Sequence, residues 1–136
     1  DWNICAGTLP VYYLFPNIIF MPTQEGAFLV QEYPLENSPH KSVSKISFYF
    51  YPHVLEHVKQ LEKQGINGKE LLQQQYNGFA SVIRDEDYVA AASSHKGLKS
   101  GNIDYLTFGK NEPALHHYHN TYREALGLQS LPLEEA

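Results

Sequence analysis

The sequence predicts an α+β fold in which helices pack over one face of an antiparallel sheet. Three observations predict it. β-branched and aromatic runs fill residues 11–51, the hydrophobic period lengthens to that of a helix beyond Pro52, and turn residues separate the segments. Strands precede helices throughout, the order expected when helices cover one face of a sheet.

Val11 to Met21, VYYLFPNIIFM, is β-branched and aromatic, with Pro16-Asn17 interrupting it. Pro22 to Gly26 then supplies turn chemistry before AFLVQEYPLE, so the two runs are expected to form a hairpin. After Asn37-Ser38-Pro39, SVSKISFYFY sets Val43, Lys45 and Ser47 on one face and Ser44, Ile46, Phe48 and Phe50 on the other. A strand half facing a core alternates in this way. Three strands in succession suggest a meander with two free edges.

Beyond Pro52, a residue suited to a helix start, Val54, Leu55, Val58, Leu61, Leu71 and Leu72 recur at helical spacing, with Gly65 between. A next helix is expected from about Glu70 or Phe79 to Lys96, with Gly78 a possible interruption and Gly97 a left-handed cap. A loop carrying Gly101, Asn102 and Gly109 leads to a last helix from Pro113 to Leu126, stopped by Gly127.

At 136 residues the chain is large enough for one core and too short for two. A 43% hydrophobic share, with ten Tyr and seven Phe, excludes a disordered chain and suggests a half-wet, aromatic-lined pocket. Ten basic against fifteen acidic side chains give a net charge of −5, with no basic block dense enough for a phosphate backbone, so nucleic acid is not an expected partner. Lone Cys5 cannot make an internal disulfide or a zinc knuckle and is read as a small apolar filler. No apolar run approaches the roughly 20 residues needed to cross a bilayer. A soluble protein in a reducing, cytoplasmic compartment, with no membrane partner, is expected. The opening at Asp1, without initiator methionine or signal region, is what a piece of a longer chain would show.

The stretch RDEDYVAAASSHKGLKSG, Arg84 to Gly101, sets three consecutive acids before an alanine-rich run. At about 100° per residue, Phe79, Ala80, Val82, Ile83, Ala90 and Ala91 gather on one face. Asp85 then points away, while Glu86 and Asp87 lie at opposite margins, so at least one carboxylate is expected to turn toward the interior or a cavity. A buried carboxylate needs a cation, a partner or a ligand. Acids in a first helical turn also interact favourably with the dipole, and the spacing alone leaves both readings open.

DEDYVAAASSHKGLKSG, followed by FGKNEPALHHYH and preceded by YLFPNIIF, resembles the C-terminal part of the catalytic domain of Rieske non-haem iron oxygenases, the ring-hydroxylating α subunits. The likeness is closest to the branch that oxidises choline, betaines or carnitine. There an acid pair precedes a helix ending Gln-x-Gly-Leu-x-Ser, a Gly-Arg pair follows, and a Glu begins a segment ending His-x-His or Phe-His. This chain has Glu86-Asp87, Gly97-Leu98-Lys99-Ser100, Gly109-Lys110, Glu112 and His117-Tyr118-His119, with His95 in place of the Gln and Lys110 in place of the Arg.

The resemblance spans about Tyr12 to Gly127 and implies a partial helix-grip (START-like) fold around a mononuclear Fe(II) held by two His and one carboxylate. It carries Asp87 onto the carboxylate iron ligand, with Glu86 the alternative one residue away. Residues 1–136 would then be the C-terminal portion of one catalytic domain. The iron histidines and the Rieske [2Fe-2S] domain would lie upstream, and the piece alone would be inactive. The resemblance further implies an oxidoreductase, a mono- or dioxygenase acting with O₂ on a small aromatic or quaternary ammonium substrate. A separate reductase or ferredoxin would bring electrons from NAD(P)H, and the intact protein would be a homotrimer.

Other constellations compete. HVLEH, His53 to His57, matches the inverted zinc-peptidase pattern, though in a first helical turn such residues commonly face solvent. HHYH, His116 to His119, offers an i, i+3 pair that equally reads as a polar helix face with Tyr118 packed. Ser93, Ser94 and His95 are consecutive, whereas a triad converges from separate elements. The non-enzyme alternative is a helix-grip small-ligand carrier with Tyr12, Phe20, Phe28, Tyr33, Phe48 and Phe50 lining an apolar cavity.

Overall fold

The computed structural model describes residues 7–132, so Cys5 lies outside the described residues. A four-stranded antiparallel sheet in the order β1-β2-β3-β4 is built from β1 (Tyr12–Leu14), β2 (Ile18–Pro22), β3 (Gly26–Pro34) and β4 (Ser42–Phe50). The α+β prediction holds, in a helix-grip-like arrangement. The three-strand meander needs correcting, because the first run folds back on itself. Pro16 has no N–H to continue a ladder, and the chain reverses there through a cis Phe15–Pro16 peptide, pairing Leu14 with Ile18.

The predicted hairpin joins β2 to β3. Its turn is closed by Thr23 N–H on the Gly26 carbonyl at 2.8 Å and by Gly26 N–H on Thr23 Oγ1 at 3.1 Å. Gly26 is required there, since a Cβ would lie 1.8 Å from the Tyr49 carbonyl oxygen on β4.

Register fixes the two faces. Ile19, Val30 and Ile46 are aligned across β2, β3 and β4, as are Met21, Phe28 and Phe48. These residues form the inner face, so the alternation predicted for β4 is correct. Buried Met21, Phe28 and Val30 meet Tyr76, Phe79 and Ile83. The Phe28 ring stacks between Phe48, at 4.0 Å, and Phe79, at 3.7 Å. Tyr12, Phe20 and Tyr33 have the opposite parity. The six rings predicted to line one cavity are therefore split between two faces.

Helix α1 (Pro52–Lys63) begins at Pro52 as predicted and ends before Gly65, at φ +82°. Helix α2 (Gly68–Val82) starts on the Asn67 side chain, which accepts from Glu70 N–H. A Cβ at Gly68 would meet Val58 Cγ1 at 2.9 Å, so glycine lets α1 and α2 close on each other. Gly78 lies inside α2 and does not interrupt it, because the flanking face holds Tyr76 and Phe79 on the sheet.

After a π-helical turn (Ile83–Asp87) the chain continues as α3 (Tyr88–Lys99) and, later, α4 (Pro113–Ala125). Gly97 is not the cap. The helix runs on to Lys99, and Gly101 takes the left-handed conformation at φ +74°, while Gly127, at φ +67°, follows α4 as expected. The chain forms two compact units that divide between Ala90 and Ala91. Among the described residues no helix is long and apolar enough to cross a membrane.

Candidate functional site

Helix α2 keeps its phase through Phe79 and Ile83, the last side chains it packs against the sheet core. The next turn is wider: Tyr88 N–H bonds to the Ile83 carbonyl, five residues back. One extra residue in a turn rotates everything after it relative to an ideal α-helix. The 100° wheel therefore fails beyond Ile83. Asp85, Glu86 and Asp87 are all exposed, and the expectation that Glu86 or Asp87 turns inward is not met. Ala90 and Ala91, placed on the apolar face by the same wheel, are exposed as well, as is Val82 ahead of the wide turn, and no residue of the π turn or of α3 is buried.

The three acids nevertheless differ. Arg84 forks onto Asp85, Nε to Oδ1 and Nη2 to Oδ2, both at 2.7 Å. That hydrogen-bonded pairing holds the Asp85 carboxyl below its ordinary range and raises Arg84. Asp85 is thereby compensated by its neighbour. Among the described residues Glu86 and Asp87 make no ion pair. Asp87 closes the π turn, a feature that recurs at functional sites.

Next to Asp87 the helix is tied to the sheet. Tyr88 donates its hydroxyl to Glu32 Oε1 at 3.2 Å across 56 positions of sequence. Glu32 is the inner-face residue of β3 next beyond Val30, and its register partner on β4 is Ser44. The Ser44 hydroxyl lies 2.6 and 2.7 Å from the two Glu32 carboxylate oxygens. The backbone of Glu32 is held too: its N–H donates to the Asn17 carbonyl at 3.0 Å, and Asn17 Nδ2 donates to its carbonyl at 2.7 Å. Partial burial raises the Tyr88 phenol pKa. The hydrogen bond with Ser44 opposes that rise, and the Glu32 and Asp87 charges add to it. Glu32 was not singled out in the sequence. Its signal was an acid at an inward parity position of AFLVQEYPLE.

The remaining motifs shape local structure in the second unit. Ser100 Oγ donates to the Gly97 carbonyl at 2.7 Å and accepts from Asn102 N–H, which ends α3 within KGLKSG. Gly109 N–H donates to Glu112 Oε2 at 2.6 Å, and Glu112 N–H returns to the Gly109 carbonyl at 3.0 Å. A Cβ on Gly109 would crowd Asn111 Oδ1 at 2.7 Å. In HHYH, Phe108 stacks on His119 at 5.1 Å, Tyr118 packs edge-on to His119, and His116 Nδ1 meets Asn120 Nδ2 at 3.3 Å. His53 and His57 of HVLEH are exposed on α1, as such residues in a first turn commonly are.

Among the described residues no three His, Cys, Asp or Glu side chains converge as a metal site would require. What the π turn does fit is a single ligand position, since an uncompensated carboxylate is a hard oxygen donor suited to Fe(II). A separate open cavity of about 460 Å³ lies between β4 and α2, lined by residues including Phe48, Phe50, Leu72 and Tyr76. Of the six rings predicted to line a pocket, Phe48 and Phe50 do so.

A helix held on the inner face of an antiparallel sheet defines a helix-grip-like α+β protein. Within that class, this chain belongs to the ring hydroxylating alpha subunit family, whose catalytic-domain model matches residues 2–128. The family's intact proteins are Rieske-type oxidoreductases that generally use mononuclear iron and a Rieske centre and assemble with reductase or ferredoxin partners. No curated protein and no solved structure matches the sequence closely enough to add to this.

Proposed function

We propose that this chain is the C-terminal part of an oxygenase α-subunit catalytic domain and that Asp87 is its carboxylate ligand to iron. The observation that carries the reading is the division of labour among the three acids. Asp85 is spent on Arg84, while Asp87 closes a π turn with no ion pair among the described residues. When bound, Fe(II) supplies the activation of O₂, with electrons arriving through the Rieske [2Fe-2S] cluster from a reductase and NAD(P)H. The two histidine ligands and the cluster ligands come from outside these residues.

The chain's own contribution is one anionic oxygen donor on a helix that the sheet grips about two turns and one turn earlier, through Phe79 and Ile83. Arg84 keeps Asp85 from competing for the same cation. Glu86 lacks such a fork and is the alternative donor. The substrate is a small aromatic or quaternary ammonium compound. The order of Glu86-Asp87, Gly97-Leu98, Gly109-Lys110 and His117-Tyr118-His119 supports the quaternary ammonium branch, and a homotrimer is the assembly proposed.

The test is NADH-coupled O₂ uptake by the full-length protein, loaded with iron and cluster and supplied with its reductase, on a panel of betaines and aromatic acids. Uptake matched by hydroxylated or demethylated product from one class is expected. No product from either class, with both centres demonstrably loaded, would reject the reading.

A further inference from the structure

We infer that the Ser44–Glu32–Tyr88 hydrogen-bond network is a positioning device that sets the rotational phase of the π turn and so aims Asp87. The inference rests on the proposed role of Asp87 and goes beyond it by naming the residues that hold the ligand in place.

The first reason is what packing leaves undone. Beyond Ile83, no residue of the π turn or of α3 is buried. Small side chains dominate VAAASS, so hydrophobic contact gives this stretch little purchase. A π turn carries one residue more than the α-turn it replaces, and it can shift along a helix or relax. Either change rotates the following residues by roughly 100°. Something beyond core packing must choose one phase.

The Tyr88 hydroxyl makes that choice geometrically. Tyr88 follows Asp87 directly, and its 3.2 Å bond to Glu32 spans from helix to sheet. A turn of about 100° would carry the phenol away from β3 and break it. The anchor is itself fixed from three elements: by Ser44 on β4 at 2.6 and 2.7 Å, by its place in β3, and by the two bonds of its backbone to Asn17 ahead of β2. The Ser44 contacts have the short lengths of charge-assisted hydrogen bonds and fix the acceptor, while the longer Tyr88 bond, donated by a rigid ring, contributes direction more than energy. Groups that orient a metal ligand typically alter metal affinity by about 10- to 100-fold when removed.

The test uses the full-length protein and measures three quantities for Tyr88→Phe, Ser44→Ala and Asp87→Ala. These are the affinity of the iron-free mononuclear site for added Fe(II), the near-infrared magnetic circular dichroism of the loaded site, and amide hydrogen exchange over residues 84–90 in the iron-free form. Tyr88→Phe keeps the ring and removes only the hydroxyl, so it is expected to fold. Iron affinity should fall about 10- to 100-fold, with a changed ligand-field spectrum, faster exchange at 84–90 and an unaltered Rieske spectrum. Ser44→Ala should act in the same direction more weakly, by loosening Glu32.

Wild-type iron affinity and spectrum in both hydroxyl variants, with Asp87→Ala losing iron, would overturn the positioning role while leaving the ligand reading intact. A lowered melting temperature with unchanged iron affinity would likewise overturn it, as the mark of a merely structural bond. Iron retained by Asp87→Ala would instead reject the ligand reading and the inference built on it.

Discussion

Glu32 and Glu112 are both carboxylates that close a structural loop by accepting hydrogen bonds, and they do so on opposite scales. Glu112 reaches three residues back to Gly109 N–H, and the whole device is contained in FGKNEP. Glu32 is bonded by Ser44 from 12 positions away and by Tyr88 from 56. The contrast teaches that a local device is written in consecutive letters, whereas a network that ties a helix to two strands is brought together only by the fold. It also separates the two compact units: the first depends on long-range packing, the second on short turns and caps.

The largest expected effect strikes the long-range device through its platform. Phe28 is 4% exposed and stacked on both sides, so Phe28→Ala should cost about 3–5 kcal/mol, read as a lower urea midpoint. Amides 109–112 should keep their exchange rates, since their partners are local. Loss of protection there would erase the contrast between the units.

A smaller effect comes from matched truncations of the two acids. Glu32→Ala strips Ser44 and Tyr88 of their acceptor on the half-buried inner face and should cost about 1–2 kcal/mol. Glu112→Ala frees an amide that water can reach and should cost less than about 1 kcal/mol. Thermal denaturation of the pair gives the order, and equal losses would show that sequence distance does not matter here.

The smallest concerns Asp85, paired with Arg84 in full solvent. Asp85→Asn should leave the melting temperature at pH 7 unchanged within error. The pairing lowers the folded-state pKa of Asp85. Its slight contribution is therefore present above the unfolded pKa and lost as pH falls through the folded one, below about pH 4. Any difference between wild type and variant should therefore be confined to pH values above that range and vanish below it.

The same contrast explains what could be read in advance. The alternation of Ser44, Ile46 and Phe48, the helix starts at Pro52 and Pro113 and the stop at Gly127 are local patterns, and they hold. Pro16-Asn17 was visible as an interruption, but the pairing of Leu14 with Ile18 depends on what β2 finds in β3. Gly97 and Gly101 are both plausible caps by composition, and Ser100, bonding back to Gly97, lets the helix run on before Gly101 turns it. The π turn has no signature in IRDED. A fixed 100° wheel loses its phase there, and no residue of the π turn or of α3 is buried on any face, so Glu86 and Asp87, expected at an inward margin, stand exposed.

Iron content separates the two exposed acids. Asp87→Ala and Glu86→Ala are made in the full-length protein, desalted, and assayed for iron alongside the Rieske absorbance. Asp87→Ala should lose the mononuclear iron and keep the cluster, while Glu86→Ala keeps both. Full mononuclear iron in Asp87→Ala would contradict the assignment, leaving a carboxylate at a π turn with no ligand role.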